Sequence, residues 1–218
     1  MALPYSKLGH IAIFGGTFDP VHNGHLRMAT EVAEQLACDQ VKLIPAGIPP
    51  HREANQVAGH HRLAMLALAV EEGDKLIVDD CELKRHGLSY SIDTVINIRD
   101  KLGDDATLSL CMGIDAFNQL YTWHRWQELT DYAHVIVMTR PGFHLPKGGE
   151  VFDWWHERIV YDVDELLAAT KGRVMSLELT PLSISSSDLR QRIGDKKSVN
   201  YLVPKAVQKY IEQYQLYQ

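Results

Sequence analysis

Three glycines, a threonine and two histidines fall within eleven residues, Gly15-Gly16-Thr17-Phe18-Asp19-Pro20-Val21-His22-Asn23-Gly24-His25. An apolar run, Ile11-Ala12-Ile13-Phe14, precedes them, and a segment of helical periodicity, Leu26 to Leu36, follows. A strand-to-helix junction of this kind is where α/β proteins bind phosphate, because free backbone N–H groups and the helix dipole both face the ligand. Gly15 and Gly16 allow the backbone to approach a phosphate closely. Thr17 adds a hydroxyl. Asn23 is expected to cap the helix, which leaves the first-turn N–H groups open to an anion. His22 and His25 are three residues apart and can converge on one oxyanion. Taken singly, the glycines could be a tight turn and a first-turn histidine could be merely solvated. Two imidazoles at this junction point to chemistry on the phosphate.

Other residues stand where chemistry could be supported. Ser185, in Ile184-Ser185-Ser186-Ser187-Asp188-Leu189-Arg190, is a good N-cap, and Asp188 three residues later completes a capping-box pattern. An ordinary helix start would read the same way, yet the hydroxyls of Ser185 and Ser187 and the charge of Arg190 also suit a polyphosphate. Asp115 follows an apolar run and is placed to bind a ribose hydroxyl. Trp123 could be a core aromatic or a stacking platform for a flat ring. His51 and Arg52 end the loop Pro45–Arg52 and could reach phosphates or simply face water.

The elements that must position these residues alternate. Strands are expected over 10–14, 41–45, 76–79, 107–112, 134–139 and 173–179. Helices are expected over 25–37, 60–72, 91–102, 114–120, 185–193 and 204–214. Short continuous apolar runs such as Val135-Ile136-Val137-Met138 fit buried parallel strands. Strands separated by helical patterns give βαβ units. The expected fold is therefore α/β, a Rossmann-like doubly wound sheet, mainly parallel, with helices on both faces. One domain over 1–218 is expected, its helical part from about 183 packed on the sheet. The loops Pro45–Arg52, Gly113–Asp115 and Thr180–Ile184 fall at strand ends, where open parallel sheets bind ligands. Segment 141–158, rich in Gly, Pro, His and Trp, resists assignment.

Composition narrows the partners. With 218 residues, 45% hydrophobic and 23% charged, the chain can bury an ordinary core. A net charge of -6 argues against a nucleic-acid polymer but leaves room for a nucleotide in a local basic pocket. Cys38, Cys81 and Cys111 are dispersed and odd in number, which excludes a disulfide framework. No signal peptide or membrane span is evident, so a cytoplasmic setting without a membrane partner is expected. A dinucleotide-binding G-x-G-x-x-G and a P-loop G-K-[ST] are both absent. The eleven histidines offer no tetrahedral zinc set, since His22 with His25 and His60 with His61 lack completing ligands.

The string G-G-T-F-D-P-V-H-x-G-H resembles the signature of the HxGH nucleotidyltransferase superfamily. The chain is most similar to its bacterial nicotinic acid mononucleotide adenylyltransferases, over residues 10 to 215. The resemblance implies transfer of AMP from ATP to nicotinate mononucleotide, giving deamido-NAD and pyrophosphate. It implies that Gly15, Gly16, Thr17, Phe18, His22, Gly24 and His25, then Ser185, Ser187, Arg190 and Arg52, bind ATP. His22, His25 and Arg190 would be the catalytic residues. Ser187 stands where the family has Thr, and the hydroxyl is kept. Ser89-Tyr90-Ser91, after Leu83-Lys84-Arg85, resembles the family's S-Y-[TS], and Gly113-Ile114-Asp115 with Trp123 resembles its G-x-D…W segment. Thr17, Ser89, Tyr90, Ser91, Asp115, Trp123 and His124 would then bind nicotinate mononucleotide, with Trp123 stacked on the pyridine and the Ser91 and His124 amides on its carboxylate. Ala46 and Gly47 stand where the family often has Asn, so that loop would contact its ligand through backbone only. Mg²⁺ is expected on the ATP phosphates, with no dedicated protein ligands. A homo-oligomer is compatible with the sequence. Nicotinamide mononucleotide, or another phosphate acceptor such as phosphopantetheine, is the alternative acceptor. A non-catalytic nucleotide-binding module is the alternative to an enzyme.

Overall fold

A computed structural model describes residues 5–48, 57–70, 75–139, 148–180 and 182–218. Seven strands form one sheet: β1 His10–Gly16, β2 Gln40–Pro45, β3 Leu76–Val78, β4 Thr107–Gly113, β5 His134–Thr139, β6 Ile159–Val160 and β7 Val174–Glu178, in the order β3-β2-β1-β4-β5-β7-β6. Every pairing among them is parallel, where a mainly parallel sheet was expected. The central strands are buried on both faces, which is why they read as continuous apolar runs rather than alternating ones.

Side chains of alternate parity supply two cores. Ala12, Phe14, Val41, Leu43, Cys111 and Ile136 face one, and Ile11, Ile13, Leu108, Leu110, Val135 and Val137 face the other. Helices α1 Asn23–Gln35 and α2 Gly59–Ala69 cover the first. The short α3 Cys81–Lys84 lies at the strand ends, and α4 Ser91–Leu102 and α5 Ile114–Asn118 cover the second core. They are followed by α6 Leu129–Tyr132, α7 Glu150–His156 and α8 Val163–Leu167. Finally α9 Ser186–Gly194 and α10 Lys205–Gln213 return to the first core through Leu189, Val207 and Ile211.

Chain direction reverses beside β1. The chain steps outward from β1 to β2 and β3, then re-enters on the other side of β1 as β4. Such a switch point opens a crevice at the carboxyl ends of the two strands. Pairing between β1 and β4 ends at Phe14 and Cys111, beyond which Gly15-Gly16 stay paired with β2 and Gly113 with β5, so the two strand ends part. Among the described residues a Cβ added at Gly15 or at Gly113 would meet nothing within 4 Å.

Helix limits differ from the sequence expectation for local reasons: α2, expected over 60–72, ends at Ala69, because Val70 is extended with φ -99° and ψ 125°. Ala37 adopts φ 50° and the Cys38 N–H reaches the Ala33 carbonyl at 3.0 Å, a Schellman-type stop that ends α1 at Gln35 rather than 37. Expected helix 114–120 divides into α5 and a 3-10 turn, Leu120–Thr122. Part of segment 141–158 is α7, which buries Val151, Trp154 and Trp155; residues 140–147 lie outside the described residues.

Candidate active site

The eleven-residue string forms the turn from β1 into α1. Phe18 takes a left-handed φ of 49° and turns its ring inward, where it is fully buried. That ring lies under Gly16, whose added Cβ would approach it to 3.1 Å, and meets the His25 ring edge-on at 5.0 Å. Phe18 therefore shapes the loop from beneath, and only its backbone can face a ligand. The α1 N-cap is His22, not Asn23 as expected. His22 Nδ1 accepts the His25 N–H at 3.3 Å, while Asn23 is the first helical residue and donates its side-chain amide to the Tyr201 carbonyl at 2.7 Å. An imidazole has taken the role normally filled by a short polar side chain, which frees Asn23 to tie α1 to the segment before α10.

The two imidazoles stack with centroids 3.7 Å apart and planes 24° apart. Burial pulls the His22 pKa down to about 4. Burial, then the neighbouring His22, pulls that of His25 down to about 3. Both rings are neutral near pH 7. Because His22 Nδ1 accepts a hydrogen bond, its proton sits on Nε2, which is thereby a donor. His25 is half-buried as a residue, yet its Nδ1 is enclosed and has no hydrogen-bond partner among the described residues. Gly24 is required for this packing: its Cβ would lie 3.0 Å from His22 Nδ1.

Opposite the histidines stands the start of α9. The Ser185 hydroxyl oxygen accepts the Asp188 N–H at 3.1 Å, so the expected cap is present. Ser186 Oγ donates to the Pro20 carbonyl at 3.0 Å, and Arg190 Nη1 donates to the Asp19 carbonyl at 2.8 Å. Arg190 Nη2 donates to Ser187 Oγ at 3.3 Å. These bonds clamp α9 directly onto the 19–20 turn, and Ser185 and Ser187 remain exposed. Arg52, assigned to the same phosphates, lies outside the described residues.

The segment expected to bind the acceptor joins this clamp through Ala46. Its N–H donates to the Gly16 carbonyl at 2.8 Å, and its own carbonyl accepts Arg62 Nη2 at 2.7 Å. The other guanidinium nitrogen, Arg62 Nη1, donates to the Thr17 carbonyl at 2.8 Å. Ser89 N–H then reaches the Ile48 carbonyl at 2.9 Å. The Ser89 hydroxyl is already engaged, donating to Glu82 Oε2 at 2.7 Å, while Thr94 donates to Glu82 Oε1 at 2.8 Å. Gly47 fits only without a side chain, since its Cβ would meet the Glu82 carbonyl oxygen at 2.7 Å. Ser91 opens α4 and Tyr90 contacts the exposed His124 ring at 4.5 Å. Trp123 is half-buried against the second core, and Asp115 is exposed in the first turn of α5 beside Gly113. Trp126, by contrast, is buried and packs on Trp154.

Arg62 and Glu82 were not singled out from sequence, although they bridge the segments that carry the expected ligand contacts. Among the described residues no group of three or more His, Cys, Asp or Glu side chains could hold a metal ion. The site instead offers N–H donors, which suit phosphate oxygens rather than a bare cation.

A switch-point crevice closed by a Gly-rich turn, paired imidazoles and a serine-capped helix defines a nucleotide-handling α/β protein. The model of the cytidylyltransferase-like family matches residues 13–192. A relative from Marinomonas sp. (strain MWYL1), named "Probable nicotinate-nucleotide adenylyltransferase", is 44% identical over 97% of this chain and 96% of its own. One with the same name from Pseudomonas aeruginosa (strain UCBPP-PA14) is 44% identical over 95% and 96%. The solved Plasmodium falciparum nicotinic acid mononucleotide adenylyltransferase complexed with NaAD shares the fold, with TM-score 0.69 at 18% identity over 95% of this chain and 97% of that one. The chain belongs to the cytidylyltransferase-like family and, within it, to the nicotinate-nucleotide adenylyltransferases, enzymes of NAD biosynthesis.

Proposed function

We propose that this chain transfers AMP from ATP to nicotinate mononucleotide, forming deamido-NAD and pyrophosphate. The observation that carries the reading is the frame Thr17–Arg62–Ala46–Ile48–Ser89, in which the Arg62 guanidinium ties the Thr17 and Ala46 carbonyls together and the Ser89 N–H bonds the Ile48 carbonyl, coupling the phosphate turn to the acceptor segment. Two anionic substrates held on one such frame can react in line. An oxygen of the mononucleotide 5′-phosphate attacks the α-phosphorus of ATP, and the bond to the bridging oxygen of pyrophosphate breaks. That oxygen nucleophile is already ionised, so no general base is needed.

His22, from Nε2, and His25, stacked on it, both donate to oxygens of the reacting phosphate. Backbone N–H groups of Gly15, Gly16, Thr17 and Phe18 receive the nucleotide phosphates, and Gly24 leaves the His22 ring its space. Ser185, Ser187 and Arg190, with Arg52, hold the β- and γ-phosphates. Mg²⁺ enters on ATP as part of the substrate and neutralises the phosphates. Trp123 stacks on the pyridine, the Ser91 and His124 amides take its carboxylate, and Asp115 takes a ribose hydroxyl. Tyr90 packs beside His124, and Ser89 supports that end through Glu82. A reducing, cytoplasmic setting fits three thiols that are all free, and among the described residues no helix is long and apolar enough to cross a membrane.

The test compares kcat/KM for nicotinate and nicotinamide mononucleotides with ATP and Mg²⁺, following pyrophosphate release. A clear preference for the nicotinate form is expected. Preference for the amide overturns the acceptor assignment, and absence of pyrophosphate release with either overturns the reaction.

A further inference from the structure

Beneath the phosphate turn lies a side-chain pair, Asp19 and Tyr217, to which the reaction above gives no part. Asp19 is buried. Tyr217, in the turn after α10, donates its hydroxyl to Asp19 Oδ1 at 2.6 Å, and the contact joins residues 198 positions apart. Arg62 lies in the field of both Asp19 and Tyr217, and Arg190 in that of Tyr217. Each guanidinium directs Nη donors to backbone carbonyls of the turn, Thr17 for Arg62 and Asp19 for Arg190. Each also has a buried Nε without a hydrogen-bond partner among the described residues. Two cations thus lie directly under the turn, Arg62 in the field of the Asp19 and Glu82 carboxylates and Arg190 bonded to the Asp19 backbone carbonyl.

That arrangement is useful only while Asp19 does not draw Arg190 into a direct ion pair, which would take its charge from the polyphosphate. We propose that Tyr217 is a positioning residue for nucleotide binding: its hydroxyl occupies the Asp19 carboxylate and so keeps Arg190 available to the phosphates and the 17–20 turn in place. Burial and the adjacent carboxylate hold the phenol protonated, so it stays a donor throughout the working pH range. The proposal rests on the reading of Arg190 as a phosphate ligand.

Tyr217→Phe removes one oxygen and little else. It is expected to raise KM for ATP about tenfold, the effect of losing one hydrogen bond to a charged group, with KM for nicotinate mononucleotide within about twofold of native. Calorimetric binding of inorganic triphosphate should weaken by a similar factor. In an Asp19→Asn background the neutral amide no longer attracts Arg190, so adding Tyr217→Phe should change KM for ATP by less than about twofold. An unchanged KM for ATP in Tyr217→Phe, an equal loss in both backgrounds, an equal rise for both substrates, or failure of Tyr217→Phe to fold each overturns the proposal. If the native enzyme releases no pyrophosphate, the reaction assignment falls, while triphosphate binding still decides the role of Tyr217.

Discussion

Gly24→Ala separates stability from turnover. In a helix, alanine for glycine ordinarily stabilises by roughly 0.5–1 kcal/mol. At this position the new methyl would lie 3.0 Å from His22 Nδ1, 3.1 Å from its Cε1 and 3.7 Å from Ile184 Cβ. Carbon contacts relax near 3.5–4.0 Å, so the ring must retreat by about 0.5 Å. It has little freedom to do so. It stacks on His25 at 3.7 Å, and its Nδ1 holds the His25 N–H at 3.3 Å. A further half ångström ends that cap bond, at a cost of about 1 kcal/mol. Propensity gain and cap loss nearly cancel, and the thermal midpoint should shift by less than about 4 °C. Turnover has no such compensation. A misplacement of about 1 Å costs on the order of 100-fold, so half of it should lower kcat roughly tenfold. Steady-state kcat at saturating ATP and nicotinate mononucleotide, beside a circular-dichroism melt, reads both quantities. Native kcat in a folded variant would refute the role given to the His22 ring, and a collapsed midpoint would refute the cancellation.

Three other outcomes are expected. His25→Ala should lower turnover by roughly 10²–10³ while ATP affinity falls less, by analogy with the loss of one preorganised donor; near-native kcat would exclude a catalytic role. Trp123→Ala should raise KM for the pyridine mononucleotide more than KM for ATP, and equal effects on both would count against stacking. His134 is buried at the start of β5, donates Nε2–H to the Ala169 carbonyl and accepts the Arg173 N–H at Nδ1, and burial lowers its pKa to about 4. The unfolded chain therefore binds the proton first, so this stabilisation is full above about pH 6.5 and is lost as pH falls toward 4, up to about 3 kcal/mol. The urea midpoint should drop between pH 7 and 4.5, and a flat profile would show that these buried imidazoles do not oppose acid unfolding.

Much of the sheet was readable because its buried strands leave unbroken apolar runs, and α4 was found at its observed limits, Ser91–Leu102. By contrast β6 has two residues and α3 has four, too few to show any period. The order β5-β7-β6 is a property of crossover geometry that no local pattern encodes. Within the site, the Gly15–His25 string was legible because its chemistry is local and closely spaced. Asn23 misled because a short polar residue is the usual cap, whereas here the His22 ring fills that place and Asn23 bonds a residue 178 positions away. Arg62, Glu82 and Tyr217 carried no local signal. An arginine in a helix, a glutamate in a short turn and a tyrosine after a helix are ordinary, and their meaning comes only from partners brought by the fold.

The phosphate turn is made early in the chain and fastened late. Arg62 and Ala46 restrain its first residues from nearby in the chain, but the rest of its restraints come from Ser186, Arg190, Tyr201, Leu202 and Tyr217, between 166 and 198 positions downstream for the side-chain contacts. On a ribosome, β1, β2 and α1 emerge long before any of these partners exist. The nascent polypeptide must therefore carry an incompletely fastened Gly15–His25 segment through most of its synthesis, and the whole site forms only when the final helices dock.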